Sequence, residues 1–132
     1  VIVVDASVVL ELLLRTPAAA AVENYLFSPR QTLHAPHLID VEVAQVLRRY
    51  AASGALDSER GRDALIDLRD LSITRYPHDI LLPRVWKLRE NLSSYDAVYV
   101  ALAEGLNASL LTCDQRLANA PGHEAQIELV QS

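Results

Sequence analysis

Apolar positions along this chain switch repeatedly between two spacings. The opening run, Val1-Ile2-Val3-Val4, is apolar at every position and rich in β-branched residues. Such a run predicts a strand covered on both faces, as in a parallel sheet flanked by helices. Ala6 to Leu14 then reads as a short helix, and Pro17 opens a second helical stretch through Ala18–Ala21 to Leu26, ended by Ser28-Pro29. Thr32 to Ala35 predicts a weak strand. Pro36 to Ser53 predicts a helix, with Leu38, Val41, Ala44 or Gln45, and Arg48 on successive turns. Val43, Val46, Leu47 and Tyr50 widen its apolar face, and Gly54 supplies a left-handed stop.

The second half repeats the alternation. Asp57 predicts an N-cap for a helix to about Asp70, with Leu65, Leu68 and Leu71 at helical spacing. Leu71 to Tyr76 holds a short strand. Leu81, Val85, Leu88 and Leu92 mark a further helix, with Pro83 near its start. Ser93 or Ser94 caps the next, which runs to about Gly105 and carries Tyr95, Tyr99, Leu102 and Leu106 on one stripe. Ala97 and Ala101 allow it to pack closely. Ser109 to Thr112 predicts a strand, Asp114 to Ala118 a short helix, and Gln126 to Val130 a last strand. Strands alternating with helices predict an α/β domain with a parallel sheet and helices on both faces. Neither a repeat nor a linker divides the chain, so residues 1–132 are expected to form one domain.

Composition narrows the function. The 132 residues carry a formal charge of −5, which excludes a globally basic nucleic-acid binder. Any affinity for phosphate must then be local, and a bound cation is one way to supply it. Lys87 is the only lysine, so the basic side chains are almost all arginine, the residue suited to planar, bidentate phosphate contacts. Cys113 is the only cysteine, which excludes an internal disulfide and a cysteine-rich zinc site and fits a reducing cytoplasm. Neither a basic secretion leader nor an apolar stretch of the roughly 20 residues that span a bilayer is visible, so no membrane association is expected.

The candidate chemistry lies in four acids. Asp5 follows the first strand, Asp114 follows Ser109–Thr112, Asp96 opens a helix, and Glu42 sits in the second turn of another. In open parallel sheets, ligand sites form beyond the carboxyl ends of the strands. If the two strands are neighbours, Asp5 and Asp114 face one crevice, which Asp96 and Glu42 can enter from the flanking helices. Two carboxylates about 4 Å apart repel by roughly 4 kcal/mol at an effective dielectric near 20. A gathered set therefore calls for protons or for a hard dication such as Mg²⁺ or Mn²⁺. Such an ion acidifies water and supports phosphodiester chemistry. Each acid also has a plainer role: Asp5 and Asp114 as helix caps, Asp96 as a partner of a helix dipole, Glu42 as a solvated residue.

Other residues point less clearly. His34 and His37 are separated by Pro36 and lack a third ligand nearby, and His78 and His123 fall in expected loops. Cys113 adjoins Asp114 without a paired histidine, as expected of a packed thiol. Arg116 can meet a phosphate, a partner's carboxylate or a neighbouring acid. Arg48 and Arg49 can be helix surface alone.

The motifs resemble those of a known family. Val3-Val4-Asp5-Ala6-Ser7 resembles the opening of PIN domains, which are metal-dependent ribonucleases. Glu42-Val43-Ala44-Gln45-Val46-Leu47 resembles their second acidic motif, Tyr95-Asp96-Ala97-Val98-Tyr99-Val100-Ala101-Leu102-Ala103 the third, and Leu111-Thr112-Cys113-Asp114-Gln115-Arg116-Leu117-Ala118 the fourth. Length and motif order look like VapC toxins of bacterial toxin–antitoxin pairs. The resemblance implies a three-layer α/β/α sandwich with a central, mostly parallel sheet of four to five strands. It implies one or two Mg²⁺ or Mn²⁺ ions held by Asp5, Glu42, Asp96 and Asp114, with Ser7 and Thr112 supporting the site through their hydroxyls. It further implies endonucleolytic RNA cleavage by metal-activated water that leaves a 5′-phosphate, a homodimer, and neutralisation by a VapB-type antitoxin in a hetero-oligomer. Arg116 would meet substrate or antitoxin.

Other classes fit less well. A haloacid-dehalogenase-type phosphatase needs a second acid two residues after the first, where this chain has Ser7. A receiver-like phosphoacceptor needs paired acids after the first strand and a late lysine. A PIN fold kept only as a binding scaffold is expected to lose acids, and all four are present.

Overall fold

The computed structural model describes residues 1–131. The chain enters as strand β1 (Ile2–Val4), followed by helices α1 (Ala6–Leu14) and α2 (Ala19–Leu26). Strand β2 (Leu33–Pro36) leads to α3 (Leu38–Ser53) and α4 (Ser58–Asp70), and β3 (Ile73–Tyr76) to a 3-10 turn at Asp79–Leu81 and α5 (Leu82–Lys87). Helix α6 (Ser94–Leu106), strand β4 (Ser109–Thr112), α7 (Gln115–Ala118) and β5 (Ile127–Leu129) complete the order.

The strands form one sheet in the order β3-β2-β1-β4-β5, with every pair parallel. Parallel neighbours need crossovers, and right-handed crossovers fix which face each helix covers. Stepping from β1 to β2 to β3 lays α1 to α4 on one face, where they pack on each other. The return from β3 to β4 reverses the step and carries α5 and α6 to the opposite face, where α6 lies across β1, β2 and β4. The result is a three-layer α/β/α sandwich, with a wholly parallel sheet. The central strands β1 and β4 are buried on both faces, which is why their sequences are apolar without alternation.

The element ends follow local chemistry. Asp57 and Ser93 cap α4 and α6, accepting from the backbone N–H groups of Glu59 and Asp96 at 3.2 Å each. Gly54 ends α3 at φ +81°, a conformation that disfavours a side chain.

Several expected boundaries and faces differ. Pro36 closes β2 rather than opening α3, which begins at Leu38; proline disfavours the helical conformation in the residue before it and lacks only a donor at a strand end. The buried stripe of α3 is Ile39, Val43 and Leu47, whereas Val41 and Tyr50 face outward. The expected helix through Leu92 is short. Leu88 and Leu92 are buried as predicted, but from turns beyond the end of α5. Tyr95, in the first turn of α6, leaves the buried stripe and is 63% exposed. No described helix is long and apolar enough to cross a membrane.

Candidate metal centre

The sheet order places the reversal of connection between β1 and β4, the point where open parallel sheets form ligand sites beyond the carboxyl ends of their strands. Val4 pairs with Leu111, so the residues that follow, Asp5 and Thr112, emerge side by side. Asp5 caps α1, its Oδ1 accepting from the N–H of Val8 at 3.2 Å. The Ser7 hydroxyl donates to the same oxygen at 2.5 Å, and the Thr112 hydroxyl donates to Oδ2, also at 2.5 Å. The cap contact thus fixes a carboxylate that is only 7% exposed.

Ser7 and Thr112 extend this support. Ser7 Oγ accepts from the N–H of Cys113 at 2.9 Å, and Thr112 Oγ1 from the N–H of Asp114 at 3.0 Å. These bonds tie the start of α1 to the turn after β4. Asp114 caps α7 through Oδ1, which accepts from the N–H of Arg116 at 2.9 Å, while its Oδ2 lies 3.8 Å from Arg116 Nη2. The same nitrogen is 3.9 Å from Asp96 Oδ2 in the first turn of α6. Glu42 comes from α3, and its Oε1 accepts from the Tyr99 hydroxyl of α6 at 2.6 Å.

Burial and mutual charge act together on these acids. Burial holds the Asp5 carboxyl above its ordinary value; the bonds from Ser7, Thr112 and Val8 oppose this, and the charge of Asp96 adds to it. Glu42 is raised by burial, lowered by Tyr99, and raised again by Asp96 and Asp5. Asp96 is raised by burial and by Asp114, with Arg116 and Ser93 opposing. Charges therefore feel one another from β1, α3, α6 and the turn after β4. Even so, among the described residues no three His, Cys, Asp or Glu side chains stand close enough to cage an ion as they are. The carboxylates instead have separate partners: hydroxyls for Asp5, the Tyr99 hydroxyl for Glu42, the Arg116 backbone N–H for Asp114, and a looser charge contact from the Arg116 guanidinium to Asp96 and Asp114. Repelling charges in partial burial settle this way.

The donor set suits a hard dication. Its oxygens are all carboxylate or hydroxyl, three of the acids are held above their ordinary range, and one cationic side chain is already drawn between two of them.

Tyr99 is a contributor that the sequence reading took only for core. Its signal was a hydroxyl on an otherwise apolar stripe, which needs a partner when buried. His34 and His37 do not pair up: His34 is enclosed in the sheet, with Thr32 Oγ1 at 2.8 Å and Tyr76 OH at 2.7 Å on its two ring nitrogens, while His37 is exposed. The Cys113 thiol is pushed up to about 11 by burial first and then by Asp5 and Glu11, so it stays protonated at neutral pH.

The PIN domain family matches residues 2–122. Ribonuclease VapC9 of Mycobacterium tuberculosis is 45% identical over 129 residues, covering 98% of both chains. Ribonuclease VapC12 of the same organism is 42% identical over 129 residues, again covering 98% of each. Among solved structures, the VapBC2 complex of Rickettsia felis bound to a promoter DNA fragment aligns with a TM-score of 0.73 at 11% identity, over 98% of both chains. VapC20 of M. tuberculosis, a toxin that cleaves the sarcin-ricin loop, aligns at 0.70 and 13% identity, over 89% of this chain and 93% of its own. At such identities the structural likeness concerns the fold.

Proposed function

This chain belongs to the PIN-domain family of VapC ribonucleases, toxins of VapBC toxin–antitoxin pairs, and we propose that it cleaves RNA internally with Mg²⁺ or Mn²⁺ held by Asp5, Glu42, Asp96 and Asp114. The observation that carries this reading is that neighbouring β1 and β4 set Asp5 beside Thr112 at the switch point of the sheet, with Asp114 in the next turn and Arg116 in contact with both Asp114 and Asp96. One or two ions bound there supply positive charge for a phosphodiester and lower the pKa of water.

The side chains divide the remaining work. Ser7 and Thr112 hold both oxygens of Asp5 and so fix the orientation of the carboxylate that would help hold a cation. Tyr99 aims Glu42 across the crevice from the far layer. Asp114 spends one oxygen on capping α7 and turns the other towards Asp96 and Arg116. Water adds to phosphorus, the bond to the 3′ oxygen breaks, and the new fragment leaves with a 5′-phosphate. Arg116, on the rim, offers a planar fork of donors to a phosphate of the RNA or to an acidic group of an antitoxin. A cytoplasmic homodimer, neutralised by a VapB-type antitoxin in a hetero-oligomer, completes the reading.

The test is cleavage of total RNA with Mg²⁺ or Mn²⁺, with and without excess chelator, by the wild type and by Asp96→Asn. Cleavage is expected to need the metal and to fall by at least about 100-fold in the variant, whose circular dichroism stays that of the wild type. Full activity in chelator, or in the variant, overturns the assignment.

A further inference from the structure

Arg116 lies in α7, two residues beyond Asp114, yet its guanidinium does not extend away from the protein. Nη2 stands 3.9 Å from Asp96 Oδ2 and 3.8 Å from Asp114 Oδ2. A single nitrogen thus bridges acids from two elements, the first turn of α6 and the cap of α7. The side chain is 84% exposed, so the contacts that orient its guanidinium towards the protein are those with the two acids. Beside it is a hollow of about 100 Å³ lined by Asn91, Ser93, Asp96 and Arg116 itself, together with apolar residues, which leaves the guanidinium room to turn away.

We infer that Arg116 is a resident counter-cation, which occupies the place between Asp96 and Asp114 in the metal-free protein and is displaced when a dication takes those carboxylates. The inference rests on the metal-binding reading above. Exposed ion pairs near 4 Å are weak and screened by solvent. Direct ligation of a hard dication by several carboxylates is stronger, so the bridge holds without metal and yields to it. The displaced guanidinium stays tethered to α7 at the mouth of the crevice, with its donors released for a phosphate. Arg116 therefore opposes metal binding while favouring RNA. A residue that only stabilised the local fold would favour both.

Isothermal titration with Mn²⁺ alone, without RNA, separates these roles for the wild type, Arg116→Ala and Arg116→Lys. The alanine variant is expected to bind Mn²⁺ about 3- to 10-fold more tightly, the size two solvent-exposed ion pairs supply. Lysine keeps the charge without the fork and should fall between. At saturating Mn²⁺ the alanine variant should show a lower kcat/KM on RNA. If the wild type binds Mn²⁺ and Arg116→Ala binds it equally or more weakly, the counter-cation role is overturned and the metal site stands. If tighter metal binding comes with undiminished cleavage, the displaced arginine has no part in holding RNA and that half of the inference falls. If neither protein binds Mn²⁺, the metal reading fails and takes this inference with it.

Discussion

Tyr99 shows how much of this site depends on a residue without a carboxylate. Only 2% exposed, it donates to Glu42 Oε1 at 2.6 Å. Burial, then the charge of Glu42, pushes its hydroxyl upward, so it is a donor at every working pH. That bond favours ionised Glu42 and opposes the burial that raises its pKa. In Tyr99→Phe the opposing contribution is lost and the Glu42 carboxyl rises further. The pH–rate profile of RNA cleavage should then keep its plateau while its acid limb moves to higher pH, a larger loss at pH 6 than at pH 8. An unmoved limb would separate Tyr99 from the ionisation of Glu42. Asp5 and Asp114 stood out as candidates in the sequence because each follows an apolar strand, whereas Glu42 and Asp96 lie on helices and gain weight only from the order of the four. Tyr99 did not stand out, because an aromatic on an apolar stripe looks like core until its hydroxyl partner, 57 residues away, is placed beside it.

Among the elements, α6 carries the tightest constraint. Ala97 to Ala103 are all buried, and alanines at 97, 101 and 103 let the helix lie close over β1, β2 and β4. Asp96 and Tyr99 ride on that helix, so its height above the sheet sets where both side chains reach. Ala97→Leu inserts volume where there is none and should destabilise the protein by about 1–3 kcal/mol in urea denaturation. Cleavage should fall with it. Val41→Ala on the exposed side of α3 should change neither. Apolar spacing located α3 and α6 but set the α3 face partly wrong, giving weight to Val41 and Tyr50. The face that packs is chosen by what lies opposite, and Ile39, Val43 and Leu47 meet the neighbouring helices and the sheet.

For the molecule as a whole, the partly buried acids couple stability to pH and, on the proposed reading, to metal. Asp5, Glu42 and Asp96 have ordinary values of 3.8, 4.5 and 3.8, and each is raised on folding. Between the unfolded and folded values the native state binds more protons, so stability falls as pH increases. Their contribution is fully present below the ordinary values and is lost as pH rises through the raised ones. At neutral pH and without metal, the folded protein therefore carries the cost of these charges. A dication bound as proposed would remove that cost, and at 100 times its dissociation constant would add about 2.7 kcal/mol. Scanning calorimetry should show Mg²⁺ raising the Tm clearly at pH 7.5 and much less at pH 4.5, where the ligands take up protons. An equal shift at both pH values would place metal binding elsewhere.

The sequence by itself determined the alternation of strands and helices, the capping residues at their ends and the identity of the acids, because these follow from interactions within a few residues along the chain. Only the tertiary structure decided that β1 and β4 are neighbours, that Tyr99 reaches Glu42, and that Arg116 bridges Asp96 and Asp114. Apart from the local Arg116–Asp114 contact, these join residues 20 or more apart in sequence, and no local spacing encodes them. They arise from the direction in which the chain crosses the sheet after β3, a choice made by packing two helical layers against both faces at once.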